Sequence, residues 1–75
     1  MALITNFEKG NKDRPSVHDE TEATYYVLEL PNGAKMLQID TYGRSTREVP
    51  GKISQSIQLS TKAMAQLKKI LDKEF

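Results

Sequence analysis

Side chains able to hold an anion crowd into one short stretch of this chain. Arg44, Arg47 and Lys52 fall within nine residues, interleaved with Ser45 and Thr46, and Tyr42 stands just ahead of them. Guanidinium and ammonium groups neutralise phosphate oxygens, hydroxyls donate to them, and a tyrosine ring offers a stacking plane, so the spacing suits a polyanion better than a reaction. Catalytic sets are absent by comparison. The one histidine, His18, sits in a polar arm beside Asp19 and Glu20, where a histidine is ordinarily a solvated residue and not a general base. One His with two carboxylates lacks the spaced nitrogen and sulfur ligands of a structural zinc site, and Gly43-Arg44-Ser45-Thr46 lacks the second glycine and the lysine of a phosphate-cradling loop. No catalytic residue, metal or cofactor is expected, and an enzyme is the remotest reading.

A cationic loop alone is an ordinary solvated turn, so its neighbourhood decides how it is read. The chain's 75 residues carry a net charge of only +1, yet the charge is segregated. Residues 1–22 hold three cations against five anions, a net of −2, whereas residues 35–69 hold seven cations against two anions, a net of +5. A basic body thus follows an acidic leading segment. There is no cysteine, so disulfide staples and thiolate metal sites are excluded. So short a chain hides a modest fraction of its surface, which leaves self-association as the ordinary route to further stability. Apolar residues make up 37%, no run is long enough to cross a bilayer, and no leader pattern opens the chain. A cytoplasmic domain with no membrane partner is the expectation.

The elements that would position the loop follow from periodicity. Residues 1–22 form a polar arm, with a possible short strand at 2–7; residues 8–22 are broken by Gly10 and Pro15 and have neither helical nor strand period. Residues 23–75 form the ordered domain. Thr24–Leu30 and Lys35–Tyr42 read as strands, and the Asn32-Gly33 dipeptide between them is a strong hairpin signal because both residues tolerate positive φ. In the second strand Leu37, Ile39 and Thr41 share one face, and Gln38, Asp40 and Tyr42 the other. A third strand, Ile53–Leu59, repeats the division, with Ile53, Gln55, Ile57 and Leu59 on one side and Ser54, Ser56 and Gln58 on the other.

From Ser60, a good N-cap, the period becomes helical. Ala63, Met64, Leu67, Ile70 and Leu71 form an apolar stripe, with Lys62, Gln66, Lys69 and Lys73 opposite. The predicted fold is therefore α+β, a small antiparallel sheet of three to four strands with one C-terminal amphipathic helix over its oily face. One helix leaves apolar edges uncovered, and a homodimer would cover them. Strand alternation puts either Tyr25 or Tyr26 toward the core. Two adjoining strands would present a polar face, flanked by the cationic loop, to a single strand of DNA or RNA. Lys35, Arg44, Arg47 and Lys52 are the candidates for phosphate, Tyr42 for stacking, and Gln38, Ser54 and Ser56 for hydrogen bonds.

Residues 37–71 also resemble a known family. Leu37-Gln38-Ile39-Asp40 followed by Tyr42, then Val49-Pro50-Gly51-Lys52, then Leu59-Ser60 leading into a helix with Leu67-Lys68, look like the C-terminal domain of the positive cofactor four family. That family comprises transcriptional coactivators that bind single-stranded DNA. The resemblance implies a curved antiparallel sheet with a C-terminal helix, dimerisation through the helices, and DNA contacts by Tyr42, Arg44 and Lys52. Here the loop before Pro50 is shorter, Met64 stands where the family has tryptophan, and the basic-aromatic doublet after the Asp is reduced to Tyr42 and Gly43. The rival expectation is a small adaptor or inhibitor whose strand edge or acidic arm captures another protein, with no nucleic acid involved.

Overall fold

The computed structural model describes residues 1–42 and 53–75. The chain order is β1 (Ala2–Ile4), β2 (Ala23–Glu29), β3 (Lys35–Thr41), β4 (Gln55–Leu59) and α1 (Thr61–Glu74), an α+β fold of one four-stranded sheet and one C-terminal helix. In space the strands run β1-β4-β3-β2. The predicted antiparallel sheet holds for β2, β3 and β4, but β1 lies parallel to β4, so the sheet is mixed. Parallel neighbours need a long connection; here it comprises residues 5–54, β2 and β3 included, and its first part is the polar segment after β1. It runs beside the helix, where Phe7 N–H donates to Gln66 Oε1 at 2.8 Å and Lys9 pairs with Glu74 at 3.0 Å, before reaching the start of β2. The short strand expected as possible at residues 2–7 forms at Ala2–Ile4.

The β2–β3 turn is where the predicted signal lies, but its geometry differs. Asn32 does not use positive φ; only Gly33 does, at +84°. Gly33 N–H donates to the Leu30 carbonyl at 2.9 Å and Leu30 N–H to the Ala34 carbonyl at 2.8 Å. This is a three-residue loop, a type I turn started by Pro31 and closed by glycine in the left-handed region. Pro31 accounts for the choice, since its ring fixes the negative φ that the first central position of a type I turn requires.

Strand register builds two rows on one face, Ile4–Leu59–Leu37–Val27 and Ala2–Ile57–Ile39–Tyr25. The helix packs over β3 and β4 on this face, and there the core is tightest: Leu59 is 2% exposed and Ala63 0%. Ser60 caps the helix as predicted, its Oγ accepting from Ala63 N–H at 3.1 Å, and Thr61 Oγ1 ties the same end to the Lys35 carbonyl at 2.8 Å. Gln66 departs from its expected outward place. Its amide carries both an acceptor and a donor, so it anchors the N-terminal segment by accepting from Phe7 N–H and donating from Nε2 to Asn6 Oδ1 at 2.9 Å. The helix stops short of β2, so Tyr25 and Val27 remain 73% and 61% exposed on the apolar face. Tyr26, on the other face, is 44% exposed. Neither tyrosine is the core residue that alternation alone predicts.

Candidate nucleic-acid interface

The face away from the helix carries the polar residues of β3 and β4. Gln38 stands opposite Gln58, and Asp40 opposite Ser56, in the antiparallel register. Their side chains are bonded to one another. Ser56 Oγ donates to Asp40 Oδ1 at 2.7 Å, Gln38 Nε2 donates to the same oxygen at 3.1 Å, and Gln58 Nε2 donates to Gln38 Oε1 at 2.9 Å. At the end of this chain of bonds Asp40 is 2% exposed, the most enclosed polar side chain among the described residues. A carboxylate withdrawn from water is tolerated only when donors replace its hydration, and these short charge-assisted bonds do so.

Tyr42 completes the arrangement. Its hydroxyl lies 2.8 Å from Thr24 Oγ1, and Thr24 is the residue of β2 directly opposite Asp40. The ring is therefore drawn back along the sheet, beside Asp40, rather than swinging free from the strand end. The Tyr42 carbonyl accepts from Thr21 Oγ1, which brings the end of the acidic arm to the same place. Across the platform the aromatic residues are Tyr42 at one end of β3 and Tyr26, which lies opposite Gln38.

Two open depressions flank the network. One, of about 430 Å³, is lined by Met1, Ala2, Leu3, Gln38, Ile53, Ser56 and Gln58. The other, of about 570 Å³, is lined by His18, Asp19, Glu20, Thr21, Thr41, Tyr42, Ser54 and Gln55. Ile53 thus joins the polar side rather than the oily face assigned by alternation. The reason is local: β4 begins only at Gln55, and Ser54 occupies a bend where the two-residue period does not apply.

Of the residues singled out from sequence, Gln38 and Ser56 share the network, and Tyr42 and Ser54 share the second depression. Lys35 is not brought to them. It opens β3 at the opposite end from Tyr42, on the parity of Leu37 and Ile39, and its Nζ lies 4.0 Å from Glu29 Oε1. Arg44, Arg47 and Lys52 lie outside the described residues, as does Pro50-Gly51. The segment bearing them leaves from Tyr42 and returns at Ile53, and Ser54 N–H donates to the Thr41 carbonyl at 2.8 Å, so both its ends meet at this end of the polar face. Thr24, Gln58 and Tyr26 were not selected from sequence. Alternation had already put Gln58 on the polar side of its strand, whereas Thr24 and Tyr26 are placed on the face of Gln38 and Asp40 only by the strand register.

The arrangement makes a stiff hydrogen-bonded floor with an aromatic plate at its edge. Within it Ser56 and Gln38 donate to the same Asp40 oxygen. Among the described residues, no three His, Asp or Glu side chains converge to hold a metal ion, and no helix is long and apolar enough to cross a membrane. Compared with known proteins, the chain matches no family model, no curated protein and no solved structure.

Proposed function

We propose that this chain is a single-stranded nucleic-acid-binding module. The observation that carries the reading is the polar platform of β3 and β4, left clear of the helix and edged by Tyr42 at the end from which the basic segment departs. Arg44, Arg47 and Lys52 neutralise phosphates, Tyr42 stacks a base, Gln38 and Ser56 supply hydrogen-bonding capacity left over from the network, and Ser54 adds a hydroxyl in the depression beside Tyr42. Lys35 is omitted because it lies on the other face at the far end. Asp40 acts as a positioning residue that orients Gln38 and Ser56. The similarity of residues 37–71 to the positive cofactor four family points the same way.

The test is a fluorescence titration with oligo-dT at two salt concentrations. With three cations on phosphates, the logarithm of the affinity falls against log salt with a slope of about −2. Reversing the charge of Arg44 and Arg47 abolishes binding. No binding at low salt, or equal binding to duplex, rejects the proposal. A second reading has its own support in the exposed strand β2: a protein-binding module using that edge. The same charge reversal leaves such capture intact, which separates the two.

A further inference from the structure

The sheet has two edges, and only one is defended. β1 is three residues long, too short to template a neighbouring chain. β2 presents seven residues, and from Ala23 to Leu28 it contains no lysine, no proline and no charge of either sign. Those are the devices by which edge strands ordinarily avoid pairing. Glu29, at its last position, is the only charge on the strand.

The β2–β3 ladder determines which backbone groups face outward. Leu30 N–H donates to the Ala34 carbonyl, and hydrogen-bonded positions alternate along an antiparallel pair, so Thr24, Tyr26 and Leu28 are bonded to β3. Ala23, Tyr25, Val27 and Glu29 then turn their amides and carbonyls to the open edge. Tyr25 and Val27 are also the exposed apolar side chains that the helix fails to cover.

We propose that β2 pairs antiparallel with β2 of a second copy of this chain, about a two-fold axis at Tyr26. In that register Tyr25 faces Val27 of the second copy, Val27 faces its Tyr25, and Ala23 faces its Glu29. Every pair that must exchange hydrogen bonds is formed by residues whose backbone groups point outward. An aromatic side chain opposite a β-branched one is a favourable cross-strand pair, and no charge meets a like charge. The row Gln58–Gln38–Tyr26 continues through the axis into the second copy, which joins two polar platforms into one with a pair of Tyr26 rings at its centre. The pairing deepens the nucleic-acid reading by doubling its surface, yet it rests on the edge strand alone.

Sedimentation equilibrium of the full chain without nucleic acid, from low micromolar to submillimolar concentration, tests it independently of that reading. The expected mass is twice 8.5 kDa. The double variant Tyr25→Lys with Val27→Lys sets like charges opposite each other at two positions and yields a monomer with an unchanged helical circular-dichroism signal. The variant Tyr25→Lys with Val27→Glu sets opposite charges there and restores the dimer. In the unmodified protein the Tyr25 and Val27 amides are protected from hydrogen exchange. A monomeric unmodified chain, a dimer that survives the double lysine substitution, or rapid exchange at those two amides overturns the proposal.

Discussion

The central strand pair alternates apolar with polar residues and the β2 edge carries a continuous apolar and aromatic run, yet it is the central pair that is enclosed. β3 and β4 have a helix on one face and a closed set of hydrogen bonds on the other, so Leu59 and Asp40, on opposite sides of the sheet, are equally enclosed at 2% exposure. β2 has the most aromatic strand of the chain, yet three of its consecutive residues, Tyr25, Tyr26 and Val27, stand exposed. Burial is thus decided by a strand's place in the sheet and by the reach of a 14-residue helix, not by how apolar the strand is.

The largest expected effect tests the covered half. Leu59→Ala removes a side chain with no room to collapse and lowers stability by about 3 kcal/mol in guanidinium unfolding. A loss below 1 kcal/mol would mean that the centre is no better packed than the edge. Asp40→Ala comes next, because it leaves the Ser56 hydroxyl and the Gln38 amide without their acceptor. A loss of about 2 kcal/mol is expected by the same measurement, and a neutral result would show that the network is decorative. The smallest effect belongs to the edge. Lys35→Ala breaks only the exposed 4.0 Å contact with Glu29 that links β3 to β2. The stability should change by less than about 0.5 kcal/mol, as for other surface ion pairs. Equal losses at Asp40 and Lys35 would erase the distinction between the two regions.

Much of this architecture was legible because it is local. The period of two in residues 35–41 and 55–59, the change to a helical period after Ser60 and the glycine at 33 each depend on a few neighbouring residues. The parallel placement of β1 was not legible, since three residues carry too little pattern to name a partner and the pairing joins Ala2 to Ile57 across the whole chain. Lys35 was grouped with the other cations on charge alone, and charge says nothing about which end of a strand a residue occupies. Gln66 was assigned outward because polar side chains usually are, whereas its amide reaches backbone that only the return of the N-terminal segment brings near.

Sequence alone determined which side of β3 and of β4 is oily and which is polar, where the helix starts and where the hairpin turns, because side-chain alternation and capping are set within a few residues. Only the tertiary structure decided that Gln38, Asp40, Ser56 and Gln58 bond to one another, that Tyr42 leans to Thr24, and that β2 is left bare. Those outcomes depend on register between strands distant in the chain and on how far one helix extends across the sheet, and neither quantity is written in any single segment.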